Sequence, residues 1–143
     1  MLGRWQPWHD GHQALFKRCL AKTGQVIIQV RDVHGASGGD GQDDNPFSWK
    51  TVCLNIEQGL LADGFTRGIE YEIMLVPNIV NITYGRKVGY SFEEEVFDES
   101  ITKISATKIR QKLRDDGNLW TFIKIRFTYP ILEKQHFEPN SLG

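Results

Sequence analysis

The residues best suited to chemistry lie among the first twelve positions, where two histidines, an arginine and two tryptophans occur together. His9 and His12 are three residues apart and lie where a helical pattern begins, so both imidazoles can reach the same phosphoryl oxygens. The N-terminus of a helix exposes unpaired N–H groups and a partial positive charge, and glycine allows a ligand to approach the backbone closely. With Gly3, Arg4 and Gly11, the segment therefore has the chemistry of a phosphate-binding loop.

A second segment with related chemistry lies at 104–110 and reads Ile-Ser-Ala-Thr-Lys-Ile-Arg. Ser105 is placed to cap a helix, and Thr107 adds a second hydroxyl in its first turn. Arg110 extends from the same helix, and a guanidinium can make two parallel hydrogen bonds to a phosphate. Small hydroxyls, free backbone N–H groups and a guanidinium are what a triphosphate needs, so this segment predicts a nucleotide-phosphate site.

Helical and strand patterns alternate along the chain. The patterns predict helices over 12–23 and 105–114, strands over 25–30 and 70–76, and a further short element over 80–85. A second helix is predicted to have Asn45 as its N-cap and Pro46 as its first residue, to carry a buried stripe over 49–60, and to end at Asp63-Gly64. Such alternation indicates a parallel α/β sheet with helices on both faces, which binds ligands at the carboxyl ends of its strands. Both chemical segments begin helices, so this architecture brings them to the same edge.

Asp32 and His34 follow the first of these strands, at the edge of the sheet where a ligand is expected. The stretch over 34–46 consists almost entirely of turn-forming residues, which is typical of a loop that contacts substrate. For Asp32 and His34, a role within the loop and a role in binding a second substrate both fit this position.

Length and composition limit the organisation of the chain. Its 143 residues are enough for one domain with a core and few for two. We expect a domain over 1–118 and a C-terminal extension over 119–143, in which strict alternation at 123–129 predicts a strand. The net charge of −1 gives no support to nucleic-acid binding, and no apolar run is long enough to span a bilayer. Cys19 and Cys53 fall on apolar helix positions, as reduced core thiols do.

The two segments together resemble a known superfamily. His-Asp-Gly-His at 9–12 and the motif at 104–110 are similar to the (His/Thr)-x-Gly-His and Ile-Ser-x-Thr-x-x-Arg motifs of nucleotidyltransferases. The stretch 3–12 more closely resembles the Gly-Arg-Phe-Gln-Pro-Phe-His-x-Gly-His of archaeal-type nicotinamide mononucleotide adenylyltransferases, with Trp5 and Trp8 at the two phenylalanine positions. Asn-Pro-Phe at 45–47 is similar to an element of the same family. Compact bacteriophage nucleotidyltransferases are similar as well.

The resemblance implies a Rossmann-like fold and transfer of a nucleoside monophosphate, with AMP from ATP favoured, to a phosphorylated acceptor such as nicotinamide mononucleotide. Pyrophosphate would be released. His9 and His12 would stabilise the charge that develops at the α-phosphorus, and Arg110 would hold the leaving pyrophosphate. Mg²⁺ would be carried by the nucleotide phosphates, with no metal site of the protein's own. The implied nucleotide-binding residues are Gly3, Arg4, Trp5, Gln6, Gly11, Ser105 and Thr107, and the candidate acceptor-binding residues are Asp32, His34 and Asn45.

Two alternatives stay open at this point. One is a cytidylyltransferase that uses CTP and an alcohol phosphate. The other is a nucleotide-binding module without turnover, because the family has a complete strand before Gly3 and only Met1 and Leu2 precede it here. We therefore expect a truncated first strand, or its replacement by another segment such as 123–129. We also expect a cytoplasmic protein (in the host cell if phage-encoded) that binds neither nucleic acid nor membrane and can form a homo-oligomer.

Overall fold

The computed structural model describes residues 1–34, 44–86 and 88–118 of the chain. They form strands β1 (Leu2–Gly3), β2 (Val26–Arg31) and β3 (Tyr71–Val76) and helices α1 (Asp10–Thr23), α2 (Trp49–Ala62), α3 (Glu99–Thr102) and α4 (Ala106–Asp115). The strands lie in the order β1-β2-β3, and both pairings are parallel. The predicted Rossmann-like α/β class is confirmed. The predicted extension over 119–143, with its strand at 123–129, lies outside the described residues.

Burial alternates along the strands and places the core on one face of the sheet. Val26, Ile28 and Val30 of β2 are buried, while Ile27 between them is 48% exposed. The core joins these side chains to residues from both long helices, because an amphipathic helix must cover the apolar face of a sheet. Its members from β3, α1 and α2 are Tyr71, Ile73, Phe16, Val52, Ile56 and Leu60.

The N-terminal segment is attached to β2 and leads directly into the loop before α1. Leu2 and Gly3 pair with Gln29 and Val30. The Nε1 of Trp5 donates a hydrogen bond to the carbonyl oxygen of Gln29 at 3.0 Å. A strand of two residues thus occupies the position beside β2 at which the resemblance implies a longer one.

The start of α2 differs from the prediction. The predicted cap at Asn45-Pro46 is wrong, since the helix begins three residues later with Ser48 as its N-cap, whose Oγ accepts from the N–H of Thr51 at 3.3 Å. The later start is explained by Gln6, which is distant in the sequence. The side chain of Gln6 donates to the carbonyl of Phe47 and accepts from its N–H, both at 2.9 Å, and so holds that residue outside the helix.

The start of α4 matches the prediction, whereas the short element predicted over 80–85 is not formed. Ser105 is the N-cap of α4, and its Oγ accepts from the N–H of Lys108 at 3.5 Å. Residues 80–85 are neither helix nor strand, and the side chains of Val80 and Ile82 are 83% and 59% exposed. β-Branched residues favour a strand, but residues 80–85 pair with no strand in the described part of the chain.

Two expectations drawn from composition can be compared with the structure. Cys19 and Cys53 are free thiols at the margin of the core, as predicted, and burial raises the pKa of Cys53 to about 12. Among the described residues, no helix has both the length and the apolar character needed to cross a membrane.

One buried polar group in α2 generates a prediction about stability. Asn55 is 4% exposed, and its amide nitrogen and oxygen have no hydrogen-bond partner among the described residues. We expect Asn55→Leu, which keeps the number of side-chain heavy atoms, to raise the free energy of unfolding by about 1 kcal/mol, because an unsatisfied amide is removed. Urea unfolding measures the change. Asn55→Ala, which opens a cavity, is the control and should show no gain; a less stable Asn55→Leu would contradict the prediction.

Candidate active site

The two histidines of the first motif form one hydrogen-bonded unit at the start of α1. The Nδ1 of His9 accepts from the N–H of Gly11 at 3.1 Å and from the N–H of His12 at 3.4 Å, so His9 is itself the helix N-cap. In return, the N–H of His9 donates to the Nδ1 of His12 at 3.3 Å. The rings are stacked, with centroids 3.6 Å apart and planes 17° apart.

This arrangement fixes the tautomer of both imidazoles. In a neutral histidine one ring nitrogen is a donor and the other an acceptor, and the hydrogen bond at one nitrogen decides the role of the other. Because both Nδ1 atoms accept backbone N–H groups, the proton of each neutral ring lies on Nε2. Each ring therefore presents an Nε2–H donor, which is the group needed to bind a phosphate oxygen.

Gly11 is required by this geometry. A Cβ atom at position 11 would lie 2.9 Å from Cε1 and 3.1 Å from Nδ1 of His9, closer than side chains pack. The glycine of the motif therefore makes room for the imidazole that caps the helix.

Two tryptophans enclose the ring of His12. Trp5 meets it edge-on at a centroid distance of 4.7 Å, and the ring of Trp8 lies 5.5 Å away. Both tryptophans are buried. Trp5 adopts a φ of 56°, in the left-handed region that non-glycine residues rarely enter. A Cβ at position 3 would lie 2.8 Å from its ring, so Gly3 is needed for the indole to fit.

Burial keeps both imidazoles neutral. Desolvation lowers the pKa of His12 to about 3, and the neighbouring His9 adds to this effect. Desolvation also lowers the pKa of His9, although the carboxylate of Asp10 opposes the shift. At neutral pH the pair is therefore an uncharged double donor, and the positive charge of the region comes from arginines.

Arg110 joins the second motif to the first. Its side chain is buried at 3% exposure, and one terminal nitrogen donates to the carbonyl oxygen of Gln6 at 2.6 Å. The other terminal nitrogen donates to Oγ1 of Thr107 at 3.3 Å and lies 3.6 Å from a carboxylate oxygen of Asp44. Burial lowers the pKa of Arg110, as do the positive charges of Arg4 and Arg114. The two motifs, at 3–12 and 104–110, are therefore in direct contact.

The candidate acceptor-binding residues are only partly brought together. A terminal nitrogen of Arg4 donates to Oδ1 of Asn45 at 3.4 Å, and Nε2 of His34 lies 2.7 Å from the carbonyl oxygen of Asn45. Asn45 thus contacts both Arg4 of the first motif and His34, which follows β2. The N–H of Asp32 donates to the carbonyl of Val76 at 2.8 Å, which places Asp32 at the carboxyl end of β2.

Sequence reasoning did not single out three residues that the structure places around the site. Arg114 follows Arg110 by one helical turn, a spacing that brings side chains together and that could have identified it. Asp44 precedes Asn45, but its contact with Arg110 has no local signal. Gln13 holds the ring of Trp8, and its role depends on helix α2, which lies far along the chain.

No protein metal site is found in the parts of the chain that the structure describes, where no three His, Cys, Asp or Glu side chains form a group that could hold an ion. Mg²⁺ carried by nucleotide phosphates stays a prediction.

Comparison with known proteins supplies an independent line of evidence. The chain is 25% identical, over 161 aligned positions, to the nicotinamide-nucleotide adenylyltransferase of Sulfurisphaera tokodaii, with 92% of this chain and 88% of that protein covered. It is 24% identical, over 126 positions, to the nicotinamide-nucleotide adenylyltransferase of Methanococcus aeolicus, with 82% and 71% covered. The chain resembles archaeal nicotinamide-nucleotide adenylyltransferases. This confirms the resemblance predicted from the two motifs, whereas no family model and no solved structure matches the chain.

The close approach of Gly11 to His9 predicts that a substitution which normally stabilises a helix will destabilise this one. Replacing glycine by alanine in a helix normally adds about 1 kcal/mol of stability. We expect Gly11→Ala to lower stability instead, because the new Cβ displaces the capping imidazole. In a chain that also carries His9→Ala the clash is absent, so Gly11→Ala should increase the stability of that chain. Thermal unfolding of the four chains measures both effects, and a stabilised single variant would contradict the described cap.

The depressed pKa of His12 generates a prediction about pH. Its folded-state pKa of about 3 lies below the ordinary value of 6.5, so the unfolded chain binds more protons between these values. The contribution of His12 to the free energy of unfolding is therefore fully present above pH 6.5. It is lost as the pH decreases towards 3, by up to about 1.4 kcal/mol per pH unit. Urea unfolding from pH 7 to 4 measures the slope, and His12→Gln should reduce it. An equal slope in both chains would show that His12 titrates normally.

Proposed function

We propose that this chain is a nucleotidyltransferase that transfers AMP from ATP to nicotinamide mononucleotide and releases pyrophosphate. The observation that carries the proposal is the 2.6 Å hydrogen bond from Arg110 to the carbonyl of Gln6, because it fixes a buried guanidinium beside the loop that bears the histidines. The similarity to two proteins named for this activity supports the choice of acceptor.

In the proposed reaction an oxygen of the acceptor phosphate attacks the α-phosphorus of ATP, and the bond to the pyrophosphate oxygen breaks. The Nε2–H groups of His9 and His12 donate to oxygens of the α-phosphate, where negative charge develops during in-line displacement. The attacking group belongs to the second substrate, so no covalent protein intermediate forms. Catalysis then consists of positioning and electrostatic stabilisation.

Arg110 is suited to hold the departing pyrophosphate. Its position is set by the contacts with Gln6 and Thr107, and Nε has no partner among the described residues, which leaves donor capacity for a ligand. A fixed guanidinium loses little conformational freedom when it binds phosphate. Arg4 adds positive charge to the same region. The remaining residues assigned to nucleotide binding lie at the end of β1, in the loop that follows it and at the starts of α1 and α4. They are Gly3, Trp5, Gln6, Gly11 and Ser105.

Neutral imidazoles suit this role because they donate a hydrogen bond without competing for the proton of a reacting group. The net positive charge is contributed by arginines, which stay protonated across the physiological range. Mg²⁺ carried by the nucleotide phosphates would neutralise charge on the leaving group, as divalent ions commonly do in phosphoryl transfer. We assign Asp32, His34 and Asn45 to the acceptor side, since all three lie at or after the carboxyl end of β2.

Pyrophosphate release tests the proposal. We expect release from ATP with nicotinamide mononucleotide, and none from CTP with an alcohol phosphate. His12→Ala should lower turnover about 10²–10³-fold, the loss typical of a donor to developing charge. Lys108→Ala is the matched control, because Lys108 is exposed on α4 between Thr107 and Arg110 and should leave turnover unchanged. Full turnover in His12→Ala would contradict the mechanism, product from CTP would indicate the cytidylyltransferase, and ATP binding without any product would indicate a binding module.

A further inference from the structure

The side chain of Gln13 is fully engaged between the first motif and helix α2. It is 9% exposed, and its Oε1 accepts from the indole Nε1 of Trp8 at 2.7 Å. Its Nε2 donates to the carbonyl oxygen of Gly59 at 2.7 Å and to a carboxylate oxygen of Asp63 at 2.9 Å. One residue of α1 therefore connects a ring of the histidine loop to Gly59 of α2 and to Asp63, the C-cap of that helix.

The ring that Gln13 holds is one of the two that enclose His12. Trp8 is 8% exposed and lies 5.5 Å from the ring of His12, centroid to centroid. A Cβ at position 59 would lie 3.1 Å from Cδ1 of Trp8 and 3.2 Å from its Nε1, so the indole fits closely against the backbone of α2. The orientation of Trp8 is thus set by a buried hydrogen bond and by a glycine that allows close approach.

The position of Gln13 in α1 explains why it can act on its neighbour. Consecutive helical residues project about 100° apart, so Gln13 can contact α2 while His12 faces the loop. Lys17, one turn further on, pairs with Asp63 at 2.8 Å on the same side of α1. That ion pair is exposed and contributes little by itself, whereas the amide of Gln13 is buried.

We infer that Gln13 is a positioning residue, which orients the Nε2–H of His12 by holding the indole of Trp8 against α2. The inference rests on the proposed function, because the orientation of His12 matters for turnover only if His12 donates to the nucleotide. A buried indole N–H without an acceptor is unfavourable, so loss of Gln13 moves the ring. Transition-state donors tolerate little displacement, and about 1 Å can cost roughly 10²-fold in rate.

The indole N–H distinguishes this chain from the family pattern it resembles, which has phenylalanine at the position of Trp8. Phenylalanine fills most of the same space and has no donor. Substituting Trp8→Phe therefore removes the need for an acceptor at position 13 and keeps an aromatic ring beside His12. This difference allows the hydrogen bond to be tested separately from the ring.

A double-mutant cycle on kcat tests the inference in the full chain. We expect Gln13→Leu to lower kcat for pyrophosphate release about ten-fold or more, with the KM for ATP changed by less than about two-fold. Trp8→Phe should lower kcat only about three-fold. The chain with both substitutions should match Trp8→Phe, because it contains no indole N–H that needs an acceptor at position 13. The ring-proton signals of His12 in NMR spectra should shift in Gln13→Leu and return in the double variant.

Gln25→Leu is the matched control. Gln25 lies past the other end of α1, donates to the carbonyl of Ile69 at 3.2 Å and is exposed, so its loss should leave kcat and the NMR signals unchanged. A Gln13→Leu chain that is less stable but has unaltered kcat would reduce Gln13 to a structural role and overturn the inference. A double variant as slow as Gln13→Leu would also overturn it.

If Gln13→Leu does not fold, the Trp8→Phe chain alone tests the inference. Unchanged NMR signals of His12 and an unchanged kcat in that chain would show that the hydrogen bond between Trp8 and Gln13 does not orient His12. Failure of the proposed function is separate, because it would be seen as full turnover in His12→Ala whatever the cycle shows.

Discussion

The contact between the guanidinium of Arg110 and the carbonyl oxygen of Gln6 is the interaction on which the site depends. It joins two residues 104 positions apart and does so in a buried environment. Gln6 also binds Phe47 through its side chain, so the N-terminal loop, the segment before α2 and helix α4 all meet at one residue. A buried charge is stable only when it is hydrogen-bonded, and this requirement ties the three segments together.

The same arrangement divides the electrostatics of the site into two parts. The imidazoles of His9 and His12 are desolvated and neutral, and their Nδ1 atoms are used to start α1. The arginines hold the charge, although burial lowers the pKa of Arg110. Hydrogen-bond donors and positive charges are thus provided by different residues, which suits the nucleotide proposed above.

Local patterns in the sequence predict most of the fold. Hydrophobic periodicity places the long helices and both six-residue strands to within a few residues, because those elements depend on neighbours in the chain. The cap at Ser105 is predictable for the same reason. The predicted start of α1 is two residues late, since His9 caps the helix although histidine is not among the usual capping residues. The predicted start of α2 is wrong because Gln6, distant in sequence, sets the conformation of Phe47.

The candidate site follows the same rule. The motifs identify the histidines and Arg110 because their spacing along a helix start is a local signal. The roles of Asp44 and Gln13 cannot be predicted from local sequence, since each side chain contacts a partner on another element. The short element predicted over 80–85 is not formed, because a strand needs an edge to pair with and β-branched residues alone do not supply one.

The left-handed backbone of Trp5 has a consequence for the proposed binding of a nucleotide. This conformation costs a non-glycine residue about 1–2 kcal/mol, and in this chain the cost is met when the core forms, by the burial of the indole and its bond to Gln29. The strained residue is therefore held by contacts within the chain itself. For the nucleotide proposed above, binding to a loop held in this way would require little further ordering of the chain.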